Sequence, residues 1–233
     1  MAQALARAGA HVILNARRTA PLDALCGKLT EAGFRASTAP FDIMDEHARR
    51  ETIAALPKLD ILINNAYSGR PGPLESATRG DFTNAFESGA TAAFDMTRAA
   101  LPALRASGHG SVINIASMYG HISPDPALYG DSGLNSPPWY GAAKGALIQL
   151  TRYLAVHLAS DNIRVNAISP GPFPRTEISA SKSDFIARLS AKVPMKRIGE
   201  AREIAGPVVF LASDASSYVT GVNMPVDGGW TAW

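Results

Sequence analysis

Short apolar runs rich in β-branched residues alternate with stretches whose apolar positions recur at helical spacing, and this alternation lasts the length of the chain. Ala2 to Ala8 reads as a helix stopped by Gly9, with no Ser, Thr, Asp or Asn before it as a cap. His11–Asn15 follows as a strand, then a helix over Pro21–Ala32, a strand near Ser37–Phe41 and a helix over Asp45–Leu56. Asp60–Asn64 is a buried strand that opens into a Gly/Pro-rich loop, Ser68–Pro73. A long helix is expected over Asp81–Arg105, a strand over Ser111–Ile115, an irregular segment over Ala116–Pro138 and a helix over Trp139–Ala159. The remainder reads as strand Ile163–Ile168, polar loop Ser169–Arg197, helix Ala201–Leu211 and strand Val222–Val226. Neither a repeat nor a linker divides it, so residues 1–233 are expected to form one domain. Strands separated by helices of crossover length pair in parallel, with helices on both faces, which is an α/β, doubly wound sheet.

Composition narrows the class without changing the fold. The chain has 233 residues, 46% hydrophobic and 18% charged, with 20 Gly and 16 Pro, which excludes a disordered or collagen-like polymer. Lys and Arg number 22 against 20 Asp and Glu, and no basic run stands out, so no footprint for nucleic acid or an anionic membrane is visible. No apolar run approaches the ~18 residues of a membrane span, and the N-terminus lacks the order of a signal peptide. A single cysteine, Cys26, forms no internal disulfide, and the five histidines show no metal-ligand spacing. A cytoplasmic setting is the expectation.

In doubly wound sheets ligands sit beyond the carboxyl ends of the strands, so chemistry is sought there. Tyr140 and Lys144 are four apart on a helix, hence on one face, and an ammonium there favours a phenolate. A tyrosine so placed can act as acid and base. Ser117, just past the strand Ser111–Ile115, can donate to an oxygen that gains charge during hydride transfer. By itself the Tyr/Lys spacing is better described as an amphipathic helix face, and the surrounding motifs decide otherwise.

The motifs taken together give the chain the look of a short-chain dehydrogenase/reductase, a Rossmann-like family. Tyr140-Gly141-Ala142-Ala143-Lys144 resembles its YxxxK, Ser117 its catalytic serine and Asn64-Asn65-Ala66 its NNAG segment. Asn162–Asn166 leading to Pro170-Gly171, then Phe210–Asp214 and Val226–Gly229, continue the resemblance in order. It implies that Tyr140 is the proton donor and acceptor, that Lys144 binds the nicotinamide ribose and lowers the tyrosine pKa, and that Ser117 orients the substrate oxygen. Pro170 and Gly171 would border the nicotinamide, Asp42 and Ile43 the adenine, Asn65 and Ala66 the adenosine ribose, and Thr176 the carboxamide. Residues 172–197 match the family's substrate loop in position, with Phe173 and Phe185 as apolar lining. NAD-using members carry an acid where Ala16 stands here, whereas Arg17 and Arg18 follow at once and suit a 2′-phosphate. NADP(H) is therefore expected over NAD(H). The implied partners are a small alcohol or ketone substrate and further copies of the chain in a homo-oligomer.

Three departures bear on that expectation. The family's first strand and its TGxxxGxG loop have no counterpart. The strand is central in the family, so its loss would leave two facing, unpaired edges beside His11–Asn15 and Asp60–Asn64. That would cost a large part of ordinary stability, and a shortened version of a longer sequence is the reading it favours. Gly89 falls where many members carry an asparagine that anchors a relay water, and Tyr67 replaces the glycine of NNAG. Ser117 and Tyr140 are also separated by a wider, proline-rich interval, a feature associated with members acting on sugar acids or building surface sugars. Two rival readings stay open: a non-catalytic member of the family that binds a partner, and a related sugar epimerase or dehydratase. Little room for a separate sugar-nucleotide domain follows Pro207.

Overall fold

Ladder hydrogen bonds gather the strands into two parallel groups, and the division between them positions the site. The structure is a computed structural model that describes residues 1–232. Strand β1 (Val12–Leu14) pairs with β2 (Ala36–Thr38), in register Val12↔Ala36 through Leu14↔Thr38. Strands β3 (Ile61–Asn64), β4 (Ser111–Ile115), β5 (Arg164–Pro170) and β6 (Asn223–Val226) form a four-stranded sheet in the order β3-β4-β5-β6. Among the described residues no ladder joins β1 to β3. Both strands instead line one cavity of about 560 Å³, the facing edges expected from the sequence.

Alternation along β4 explains why helices cover both faces. Val112 points into a core with Ile53 of α3 (Glu46–Ala54), Met96 and Leu104 of α5 (Ala92–Ser107), and Leu154 and Leu158 of α6 (Pro138–Leu158). Ile113 and Ile115 point the other way, onto Leu5 of α1 (Ala2–Arg7) and Val208 and Leu211 of α9 (Ala205–Ala212). Helix α2 (Thr19–Glu31) closes a smaller core over β1 through Leu22 and Leu29. The doubly wound expectation holds, with no helix among the described residues long and apolar enough to cross a membrane.

Three segments differ from the sequence reading. The helix expected over Asp81–Arg105 is α4 (Arg79–Phe86) and α5, joined by a π turn over Glu87–Thr91. Such a bulge inserts a residue into the helical repeat and is not marked by any change in apolar spacing. The loop expected over Ser169–Arg197 contains α7 (Thr176–Ser181) and α8 (Ser183–Lys192). Phe185 and Leu189, one turn apart on α8, bury against Met118, Leu128 and Trp230, so tertiary contact stabilises a helix that polar composition had concealed. Strand β5 also runs on through Pro170, because Gly171 N–H bonds to the Val226 carbonyl at 2.9 Å and prolongs the ladder.

Candidate active site

Two glycines bring the end of β4 against α6. A Cβ at Gly141 would lie 2.7 Å from the Tyr119 carbonyl oxygen, and one at Gly120 would lie 2.9 Å from the Lys144 carbonyl carbon. Only hydrogen at those two positions lets the turn Met118–Gly120 touch the helix that carries Tyr140 and Lys144. Ser117 starts this turn, buried, with its Oγ accepting from the Tyr119 N–H at 3.2 Å. Lys144 is only 4% exposed and its Nζ donates to the Ile115 carbonyl at 2.6 Å. Burial lowers its pKa to about 8.

The electrostatics of Tyr140 depart from the expectation that Lys144 lowers its pKa. Burial raises it above the ordinary tyrosine value, and the hydrogen-bonding Ser117 hydroxyl opposes that only in part. The Lys144 ammonium turns to the Ile115 carbonyl and lies 6.0 Å from the Tyr140 ring centre. Desolvation thus outweighs the Ser117 hydrogen bond.

Tyr67 and Gly89, two separate departures from the family pattern, prove to be one feature. Gly89 is buried in the π turn, and a Cβ there would already lie 3.4 Å from the Tyr67 ring and 3.4 Å from Ala143. A larger side chain at position 89 and the tyrosine at 67 would compete for the same volume. The Tyr67 ring packs edge-on to Tyr140, with centroids 5.2 Å apart and planes at 78°, and Lys144 Nζ lies 5.2 Å from its centre. Its hydroxyl is buried without a hydrogen-bond partner among the described residues, and burial, then Tyr140, raises its pKa to about 12. An unsatisfied buried hydroxyl costs ~1–3 kcal/mol. Tyr67→Phe is therefore expected to raise stability by about 1 kcal/mol in urea denaturation; a loss of that size would mean the hydroxyl is engaged after all.

Tyr67 also lines the cavity between β1 and β3, which brings most of the expected cofactor residues together. Ala16, Arg17, Asp42, Ile43, Asn65 and Ala66 all border it. Arg17 is 68% exposed and approaches Asp42 at 3.8 Å, a loose pair that a phosphate can displace. Arg18 lies outside the cavity lining and precedes α2 as its N-cap residue. Pro170 and Gly171 end β5 beside Ser117, since Ala116 N–H bonds to the Ile168 carbonyl at 2.8 Å. Thr176 is exposed at the start of α7 and is not part of the cavity lining. Phe185 is buried in the core on α8, stacked on Tyr129, and does not border the cavity between β1 and β3. Phe173 packs on the α9 side of the sheet.

Several supporting residues escape a sequence reading. Asn15 Nδ2 donates to the carbonyls of Ala39 (2.9 Å) and Phe41 (3.1 Å), tying the ends of β1 and β2 together. Arg49 is buried, donates to the Ile43 carbonyl at 2.6 Å and pairs with Asp95 at 3.3 Å, holding the Asp42–Ile43 turn. Asn64 donates to Asn114 Oδ1 at 2.9 Å, and Asn114 to Thr151 Oγ1 at 2.9 Å, a polar chain through the core. Asn15 carried a signal, as a polar residue ending an apolar run; Arg49 carried none.

The family model described as enoyl-(acyl carrier protein) reductase matches residues 1–231. An uncharacterised oxidoreductase of Mycobacterium tuberculosis is 36% identical over 238 residues, covering 99% of this chain and 86% of that protein. Gluconate 5-dehydrogenase of Gluconobacter oxydans is 34% identical over 237 residues, covering 99% and 89%. Among solved structures, a gluconate 5-dehydrogenase from Burkholderia cenocepacia, in complex with NADP and tartrate, matches with a TM-score of 0.88 at 30% identity over 100% of this chain and 89% of its own. The Pseudomonas aeruginosa RhlG/NADP complex matches with a TM-score of 0.88 at 33% identity, over 98% and 90%. Agreement along almost the whole chain, in sequence and in three dimensions, makes this protein an oxidoreductase of the short-chain dehydrogenase/reductase family.

Proposed function

We propose that the protein interconverts a secondary alcohol and a ketone with NADP(H), and that Tyr140 is the acid and base. The observation that carries this reading is the convergence of Ser117, Tyr140 and Lys144 around the buried end of β4. The lining of the cavity suits the cofactor: Arg17 offers a charge for a 2′-phosphate, while Asp42, Asn65 and Ala66 surround the adenosine end. When bound, the reduced nicotinamide supplies the hydride. Tyr140 gives its proton to the carbonyl oxygen, and the Ser117 hydroxyl donates a hydrogen bond to that same oxygen. Lys144, charged below about pH 8, favours the phenolate left behind. In oxidation the same residues act in reverse.

Gluconate and its 5-keto product are the first substrates to assay, because relatives named for that activity are similar along their length. NADPH-dependent reduction of the ketone supports the proposal, and no turnover with any ketone of a broad panel refutes it. The second reading is a non-catalytic member of the family that binds a partner; NADPH binding in a fluorescence titration followed by turnover with a ketone argues against it, and the absence of both favours it. Arg17→Glu is expected to weaken NADPH at least ~10-fold while leaving NADH nearly unchanged, since a lost charge pair of about 1.4 kcal/mol corresponds to that factor. Equal parent affinities for the two cofactors would remove the NADP(H) assignment. Phe82, Phe86 and Phe94 are exposed on α4 and α5, as are Tyr153 and Val156 on α6, which supports association between copies through these helices.

A further inference from the structure

We propose that Tyr67 is a positioning residue for the acid–base step: its ring, seated by the π turn Glu87–Thr91, holds the Tyr140 ring and the Lys144 ammonium in their relative places. The role rests on Tyr140 being the acid and base. Two neighbouring residues of the π turn build the seat. The buried Ser88 hydroxyl accepts from the Ser68 N–H at 3.1 Å and donates to the Ser68 carbonyl at 2.7 Å, and Asn84 Nδ2 donates to that carbonyl at 3.0 Å. The backbone just past Tyr67 is thus fastened through both of its polar groups. Gly89, next in the chain, leaves the room that the ring occupies, and at the ring's other end a Cβ on Gly69 would collide with the Tyr67 hydroxyl. Neither glycine has a positive φ, so backbone conformation does not call for them; space for the ring does. A π turn that grips one residue and makes way for the side chain before it is a built feature, of the kind that recurs at functional sites.

The seated ring meets both members of the pair. Its edge-on contact with Tyr140, 5.2 Å between centres, fixes the rotation of that ring and hence the direction of the hydroxyl that bonds with Ser117. Lys144 Nζ lies 5.2 Å from the Tyr67 centre and 6.0 Å from the Tyr140 centre, within the distance of about 6 Å over which a cation is drawn to a ring. An ammonium has several donors to satisfy, and Lys144 directs one at the Ile115 carbonyl. At 4% exposure, the two rings stand where water would otherwise be. The groups facing the pair are Tyr67 from the loop after β3, Ser117 and Tyr119 from the turn after β4, and the Ile115 carbonyl; among the described residues no carboxylate pairs with Lys144. The Tyr67 ring therefore places the cation by π attraction and exclusion of water, and adds no charge to the site.

The test separates ring, hydroxyl and seat. Tyr67→Ala is expected to lower kcat for ketone reduction at least ~10-fold while the ketone KM stays within about twofold of the parent, because a misplaced acid slows the chemical step more than it weakens binding. Tyr67→Phe keeps the ring and most of kcat. Gly89→Leu, which drives an intact tyrosine from its seat, is expected to reproduce the loss and to add little to it in a Tyr67→Ala background, where the ring is already gone. Nuclear magnetic resonance of isotope-labelled lysine side chains reads the same contact without turnover, with the Lys144 signal identified by its absence from Lys144→Met. The Lys144 midpoint, about 8 in the parent, is expected to rise toward 10.5 in Tyr67→Ala as water replaces the ring, and to stay near 8 in Tyr67→Phe. An unmoved midpoint in Tyr67→Ala overturns the proposal, as do a Tyr67→Ala kcat within about twofold of the parent, a Phe variant as slow as the Ala variant, or additive losses from Gly89→Leu and Tyr67→Ala. A parent that binds NADPH yet reduces no ketone refutes the hydride chemistry instead, and the lysine titration then decides the role of the ring.

Discussion

Tyr140→Phe is expected to lower kcat for ketone reduction by about 10²–10⁴, the usual contribution of a positioned acid, while the NADPH dissociation constant stays within about twofold of the parent. The substitution removes one oxygen and keeps the ring, so the edge-on packing against Tyr67 survives. Binding and chemistry should separate cleanly for this reason: the residues proposed to hold the cofactor line a cavity that Tyr67 borders and Tyr140 does not. Stopped-flow hydride transfer and fluorescence titration measure the two quantities on one preparation. Unchanged turnover would exclude Tyr140 as the proton donor, and a parallel loss of binding would show that the tyrosine acts by holding the cofactor.

Lys144→Met has a second large effect, with opposite signs on stability and activity. The lysine is buried with its pKa lowered from 10.5 to about 8. Between those values the unfolded chain binds more protons than the folded one, so the stability of the parent protein rises with pH across that window and levels off above it. Below about pH 8 the ammonium is charged in both states and the desolvation cost is present in full, on the order of 3 kcal/mol at about 1.4 kcal/mol per pKa unit. Methionine fills a similar unbranched volume without the charge. The variant should therefore be more stable than the parent at pH 7 by about 1–3 kcal/mol, with no rise between pH 8 and 10.5, yet lose most turnover. Urea denaturation at pH 7, 9 and 10 tests this. A parent stability that is flat across that range would show that the buried ammonium is compensated.

How far the sequence reveals this protein depends on whether a feature is local. Ser111–Ile115 was legible as a strand to the residue, because an interior parallel strand is apolar on both faces and nothing else in the segment competes. The Tyr140–Lys144 spacing was legible because a helix alone fixes which side chains share a face. Tyr67 and Gly89 each looked like an unexplained departure, 22 positions apart, until the fold placed one ring in the space left by the other. Arg49 reads as one more charge on a polar helix, yet it is buried beneath the Asp42–Ile43 turn and paired with Asp95.

The sequence by itself determined the alternating architecture, the helix face that carries Tyr140 and Lys144, and the acid-free turn at Ala16–Arg17. Each of these follows from the chain's own periodicity or from residues a few positions apart. Only the tertiary structure decided that burial holds Tyr140 above its ordinary pKa, that Lys144 turns to the Ile115 carbonyl, and that the Tyr67 ring fills the space beside Gly89. Those outcomes depend on how much water is excluded around a group and on which distant backbone lies beside it. Neither quantity is a property of any segment until all of them are packed.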